Sequence, residues 1–392
     1  MFILEEPYVS ELLLKTLESN QFAVLNNEVA KKYSKNFNLN LIEKDTAIDF
    51  FKNKEELNFY SNSENSIDWV LSNFENTNLS KAIEVFKDKV EFRKLIAPIY
   101  PNFMFKELSL EELDSIDINS IKMPFIIKPA VGFLSLGVHK VNSDTEWKEV
   151  LSTIKNEVKS FSKLFPQKVV NSSKFIIEEI IKGTEFAIDA YYNNQGEAVI
   201  LNIFKHPFVS AEDVSDRAYI SSKEIINENL VDFESVLAKI GEITNLNNFP
   251  MHIELIKKDN GEIIPVEINP MRFAGWCTTD LAYYAYGINI YEYFFNQEKP
   301  DWTNILSKKG NEEYYFAMAE TPQDINKSDI KEFMFEELKK EFSNILNFRE
   351  IDYMNKPMFA ILFGSVTDKK EITKILQLDM HNFINFKSKI HS

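Results

Sequence analysis

Met251-His252-Ile253-Glu254 and, after a polar turn at Asp259-Asn260-Gly261, Pro265-Val266-Glu267-Ile268-Asn269-Pro270 decide how this chain is read. Asn-Gly between two runs of alternating apolar residues is a strong hairpin signal. Residues i and i+2 of a strand share a face, so Glu267 and Asn269 project together, and the hairpin brings Glu254 to the neighbouring strand. Two carboxylates and a carboxamide converging on one spot are hard oxygen donors. They suit Mg²⁺, which takes one or two carboxylates and fills its shell with phosphates and water. The reading then depends on a phosphate site upstream.

Such a site is present. Phe125-Ile126-Ile127-Lys128-Pro129 is an apolar strand ending in a lysine, and it runs into Ala130-Val131-Gly132-Phe133-Leu134-Ser135-Leu136-Gly137. Glycines let backbone N–H groups approach anionic oxygens, and the ammonium adds a point charge. Only 10 glycines stand against 33 phenylalanines, so two glycines within one short loop carry weight. Alone, the loop is weak evidence, because short glycine-containing turns are usually just turns in which Gly132 and Gly137 would supply positive φ. Lys128 before it and the carboxylates downstream favour the phosphate reading. Further on, Phe175-Ile176-Ile177-Glu178-Glu179-Ile180-Ile181-Lys182-Gly183-Thr184-Glu185 reads as a strand, two acids, a turn and another acid.

Length and composition bound the rest. A chain of 392 residues, 44% hydrophobic and 27% charged, predicts two or three lobes of a globular protein. The expected divisions are an α/β lobe over 1–80, a nucleotide and metal region over 81–310, and an α+β region over 311–392. A formal charge of −16 argues against nucleic acid as a partner but not against ATP inside one cleft. No apolar run is long enough for a membrane span, and the start of the chain lacks the pattern of a signal peptide. With the single Cys277 excluding an internal disulfide, the expected address is the cytoplasm.

Helical spacing over Leu79 to Ala97 predicts one helix, with others near Ser235 to Thr244, Asp280 to Phe295 and Asp329 to Phe342. His206 to Ser222 reads as a long polar connection, in which His206, Asp213, Asp216, Arg217 and Tyr219 either cover an acceptor site or form a charged surface loop.

Taken in order from about Lys89 to Arg272, these segments resemble the ATP-grasp superfamily, with spacings similar to the D-alanine–D-alanine ligase and biotin carboxylase branches. The resemblance implies an α/β (α+β) ATP-grasp fold: an N-terminal βαβ lobe, central ATP-grasp lobes and a small C-terminal α+β region. It implies that Lys89 and Lys128 contact phosphates and that Gly132, Ser135 and Gly137 belong to the loop over the triphosphate. Glu178, Glu179 and Ile181 are implied at the adenine edge, and Glu185 at the ribose. Glu254, Glu267 and Asn269 are implied as ligands of Mg²⁺, or of Mn²⁺ in its place. Arg272 is implied as the residue that stabilises transferring phosphate, with Lys128 assisting. Family members commonly read Glu-x-Asn-Pro-Arg; here Met271 intervenes, and a turn must correct the alternation for Arg272 to face the site.

The implied activity is an ATP-dependent ligase that activates a small carboxylic acid, such as an amino acid, as an acyl-phosphate and joins it to an amine. A phosphotransferase or kinase on the same scaffold is the second reading, and a homodimer is the default assembly.

Overall fold

The structure is a computed structural model that describes residues 1–52, 54, 57–132, 137–164, 171–207 and 217–387. Short apolar runs at the start of the chain become a parallel sheet of β1 (Phe2–Ile3), β2 (Ala23–Leu25), β3 (Asn40–Ile42) and β4 (Tyr60–Ser61), in the order β3-β2-β1-β4. Phe2 and Ile3 are both buried, as expected for a parallel strand covered on both faces. Helix Glu11–Asn20 follows β1, its first turn capped by Ser10, whose hydroxyl accepts from Leu12 N and Leu13 N.

The helix expected over Leu79 to Ala97 is two helices, Asn78–Lys87 and Lys89–Ile96. Asp88 breaks them: it lies at φ −97°, ψ 107°, and its carboxylate accepts from Val90 N and Glu91 N at 2.9 and 3.2 Å. Asp at an N-cap satisfies donors that the helix leaves open, and this outweighs continuing the helix. Lys89 thereby becomes the first residue of the second helix.

That helix lies on an antiparallel sheet of β5 (Phe105–Ser109), β6 (Phe125–Val131), β7 (His139–Val141) and β8 (Asn171–Glu179), ordered β5-β8-β6-β7. The period of two divides the sheet's residues cleanly. Phe125, Ile127, Val141, Phe175 and Ile177 form one core with Trp147 and Ile154 of helix Asp144–Leu164. On the other face Ala130 and Ile176 pack with Val90 of the helix after Asp88. Lys128 and Glu178 share this second face.

The largest sheet contains β9 (Thr184–Tyr192), β10 (Ala198–Lys205), β11 (Ala218–Ser222), β12 (Phe249–Lys257), β13 (Ile263–Pro270) and β14 (Glu313–Glu320). Strands Met358–Val366 and Ile345–Glu350 complete it beyond β14, giving the order β13-β12-β9-β10-β11-β14 and then those two. The strands after residue 310 therefore extend the central sheet. One face is covered by helix Lys223–Thr244, which starts well before the expected Ser235 because Ser222 caps it, accepting from Ile225 N at 3.1 Å. Tyr192 donates to Leu237 O at 2.7 Å, and its ring occupies the space a Cβ at Gly241 would need.

Three other expectations change. Part of the connection from His206 to Ser222 is strand β11, paired with β14, while Asp213 and Asp216 lie outside the described residues. The helix expected over Asp280 to Phe295 is Leu281–Tyr286 and Ile290–Asn296, parted at Gly287 with φ 74°. The stretch expected as helix from Asp329 opens instead as strand Ile330–Phe333, paired with Ile384–Phe386, before a short helix Phe335–Lys339. Among the described residues no helix is long and apolar enough to cross a membrane.

Candidate active site

The hairpin of β12 and β13 closes through a tight turn in which Lys258 N donates to Glu262 O, Gly261 N donates to Lys258 O, and Gly261 takes φ 86°. Glu254 lies directly opposite Glu267, and His252 opposite Asn269. Directly opposed residues point to one face, so the three expected oxygen donors share it. Their register depends on a bulge: Glu254 pairs with Glu267 but Leu255 pairs with Pro265, leaving Val266 as the extra residue. The bulge re-aims the strand. Without it, Glu267 could not face the same way as Glu254.

Lys89 reaches this face from the helix that Asp88 starts. Its Nζ is 2.9 Å from Glu267 Oε2 and donates to Gly132 O at 3.4 Å. Burial disfavours the ammonium, but Glu267 outweighs burial and holds the Lys89 pKa above the ordinary lysine value. Burial likewise pushes the Glu267 carboxyl up, and the charge and hydrogen bond of Lys89 bring it below the usual carboxylate range. The contact joins the two halves of the candidate site: the expected phosphate lysine touches an expected metal ligand.

Lys128 Nζ lies 2.7 Å from Glu178 Oε2, and the guanidinium of Arg93 binds the other oxygen, Oε1. Burial alone would raise the Glu178 pKa; Lys128 and Arg93 hold it at about 2. The Glu178 carboxylate, expected at the adenine edge, is thus committed to two cations. Glu179 Oε1 accepts from Met104 N at 2.9 Å. Ile181 is half-buried just beyond the end of β8, and Glu185 is half-buried on β9, paired with Ile256 of β12. Gly132 sits beside Lys89, Gly137 takes φ 72°, and Ser135 lies outside the described residues.

A turn does follow β13, at Met271. It takes φ 63°, unusual for a residue with a Cβ, with its side chain buried and its carbonyl accepting from Ser61 N at 2.9 Å. Arg272 then reaches Glu64, with Nη2 and Nε 3.1 and 3.2 Å from Oε1. Glu64 also binds Lys87, and despite burial these cations hold its pKa at about 2.

Three members of this cluster have no role in the sequence reading: Arg93, Glu64 and Asp189. Arg93 lies one helical turn after Lys89, which is its only sequence signal. Besides Glu178 its guanidinium binds Pro265 O, next to the bulge, so one buried side chain spans both sheets. Asp189, fully buried, accepts from Thr279 Oγ1 at 2.6 Å and Ala274 N at 2.8 Å, and contacts His252 Nδ1 at 2.8 Å. His206 is buried edge-on to Tyr219, whereas Arg217 donates to Leu376 O at 2.9 Å, in the C-terminal part of the chain. Burial pushes the Cys277 thiol far up, which removes it as a nucleophile.

Residues 121–280 match the sequence profile of the ATP-grasp domain. This stretch is an ATP-grasp domain. The fold agrees over nearly the whole chain. L-amino acid ligase from Bacillus licheniformis superposes with TM-score 0.66 at 14% identity, covering 98% of each chain. Biotin carboxylase from Campylobacter jejuni, solved with β,γ-ATP, gives 0.65 at 12% identity over 98% of this chain and 92% of its own. Phosphoribosylglycinamide synthetase from Anaerococcus prevotii gives 0.60 at 15%, covering 98% of each. No curated protein sequence matches the chain. The ATP-grasp domain holds every expected site residue except Lys89, which comes from the helix before it.

Proposed function

We propose that the protein is an ATP-dependent carboxylate–amine ligase. The observation that carries this is the contact of Lys89 with Glu267 at 2.9 Å, which puts a helix-borne cation against an acid of the Glu254, Glu267 and Asn269 face. That face already attracts a cation, and its donors are the hard oxygens Mg²⁺ or Mn²⁺ prefers. Bound metal would neutralise triphosphate charge there, with Glu254, Glu267 and Asn269 as its holders.

The chain's own groups have separate tasks. Lys89 and Lys128 hold phosphate oxygens, with Gly132 beside Lys89. The backbone from Glu178 to Ile181 meets the adenine edge and Glu185 the ribose, while Glu178 keeps Lys128 aimed. Arg272, steadied by Glu64, faces the phosphate being transferred. The acid's carboxylate attacks the γ-phosphorus of ATP to give an acyl-phosphate and ADP, and an amine then displaces phosphate. Positioning and electrostatics carry such a reaction, with no protein nucleophile. The similar structures named above include no kinase, so the ligase reading stands ahead of phosphoryl transfer to a hydroxyl. The same reading places the enzyme in the cytoplasm, as a homodimer.

The test is ADP and phosphate release over panels of amino acids supplied as donors and acceptors. Release that requires both partners supports the reading; release with neither, or phosphate retained on one product, refutes it.

A further inference from the structure

β13 is the outermost strand of the large sheet, and its ladder is interrupted where the site needs it firm. Pro265 has no N–H to give β12, and the next residue, Val266, is the bulge that turns Glu267 toward Glu254. An edge strand broken by a proline and a bulge has few bonds of its own to fix its register. Contacts from outside the sheet must do so.

The helix Lys89–Ile96 grips β13 on both sides of the bulge. Lys89, at its start, binds Glu267. Arg93, one turn later, donates from Nη1 to Pro265 O and from Nε to Glu178 Oε1. Its guanidinium carbon lies 4.4 Å from the centre of the Phe103 ring, which covers one face of the group. At 2% exposure Arg93 is closed off from the cleft, so it acts on the site only through what it holds.

The two grips differ in kind. When Glu267 turns to a metal ion and Lys89 to phosphate, their contact is given up. The bond from Arg93 goes to a backbone carbonyl that neither ligand competes for, and it remains. Arg93 reaches the phosphate side as well, because the other oxygen of Glu178 holds Lys128 Nζ at 2.7 Å. One buried guanidinium therefore ties the strand just before Glu267 to the carboxylate that aims Lys128.

Resting on the ligase reading, we infer that Arg93 is a positioning residue: it sets the face of Glu254, Glu267 and Asn269 against Lys128, and its arm to Pro265 governs how tightly that face holds a divalent cation. The groups around a metal site that orient its ligands commonly change metal affinity by about 10–100-fold when lost.

Arg93→Lys separates the two arms. A lysine ammonium ends at the place of the guanidinium carbon, within reach of Glu178 but one bond short of Pro265 O. Arg93→Met removes both arms. Two titrations of the full chain read them: Mn²⁺ followed by electron paramagnetic resonance at saturating AMP-PNP, a non-hydrolysable ATP analogue, and AMP-PNP without metal followed by calorimetry. Arg93→Lys should weaken Mn²⁺ binding about tenfold and leave metal-free nucleotide affinity within about twofold. Arg93→Met should weaken both, because Glu178 then has Lys128 as its one cation and draws it from phosphate. Phe103→Leu keeps both hydrogen bonds, loosens the guanidinium and should cost about threefold in Mn²⁺ affinity alone.

A general loss of packing would move both titrations together. Arg93→Lys weakening both alike, or neither, overturns the role; if that variant does not fold, unchanged Mn²⁺ affinity in Phe103→Leu overturns it. Failure of the ligase reading looks different. Unmodified protein that takes up no Mn²⁺ with AMP-PNP overturns both ideas. The expected Arg93 pattern without ADP release on any amino-acid panel overturns the ligase reading alone.

Discussion

The face that carries Lys89, Lys128 and Glu178 and the buried cluster around Asp280 are assembled in opposite ways. On that face, Lys128 and Glu178 stand on adjacent strands of one sheet, and Lys89 and Arg93 on one helical turn laid across it. Segments of ordinary length bring them together. In the buried cluster, Asp280 gathers Ser10 from the start of the chain, Tyr291 from its own region and Arg349 from the C-terminal region. The first is local chemistry on a regular scaffold; the second exists only when all three parts of the chain have met. Damage should therefore stay confined at the first and spread at the second.

The sharpest way to break this comparison is Glu267→Gln. ADP production should fall at least about a hundredfold with the melting temperature nearly unchanged, because the loss is electrostatic stabilisation at the reacting phosphate. Calorimetry without metal adds a second readout: nucleotide should bind this variant more tightly than the unmodified protein, since Lys89 is released from Glu267. Weaker metal-free binding would show that the pair does not compete with nucleotide.

Arg349→Met tests the buried cluster. It strands Asp280, which is fully buried, and removing one partner of a buried pair costs about 3–5 kcal/mol. Chemical denaturation should show that loss while nucleotide affinity, measured in native buffer, stays within about twofold. By contrast Lys94–Glu91, with about half of each side chain exposed, contributes about 0–1 kcal/mol, and its removal serves as the control.

Lys128→Ala should weaken nucleotide binding by about tenfold. Stability falls by only about 1–3 kcal/mol, because Glu178 keeps Arg93. Unchanged nucleotide affinity by calorimetry would remove Lys128 from the phosphate site. The smallest effect is with pH. Neighbouring cations hold the Glu178 and Glu64 carboxyls down at about 2 in the folded chain, against 4.5 for a free glutamate. Their contribution is fully present above about 4.5 and lost as pH falls through that value toward 2. Denaturant midpoints should change little from these groups between about pH 7 and 5 and fall from about pH 4.5 to 3, and Glu178→Gln should flatten part of that fall.

How much the sequence disclosed follows the same division. Glu254, Glu267 and Asn269 were readable because strand periodicity and an Asn-Gly turn are local signals, although the bulge at Val266 that makes their register work left no mark. The break at Asp88 was readable in principle: Asp88-Lys89-Val90-Glu91 has the spacing of a helix-start box, masked by apolar periodicity running through it. Glu64 and Arg272 are 208 residues apart, and nothing in either neighbourhood names the other. Asp280 read as an ordinary helix start, because its partners Ser10 and Arg349 come from distant segments.

Met271 leaves the chain with an unusually narrow choice of residue at one position. A left-handed turn ordinarily favours Gly or Asn, yet this methionine is 1% exposed and fills the core where β4 meets the end of β13. Glycine would relax the backbone and open a hole, asparagine would put an amide into oil, and a β-branched residue would fit neither demand. Met271 is thus a wedge that small or polar replacements cannot imitate.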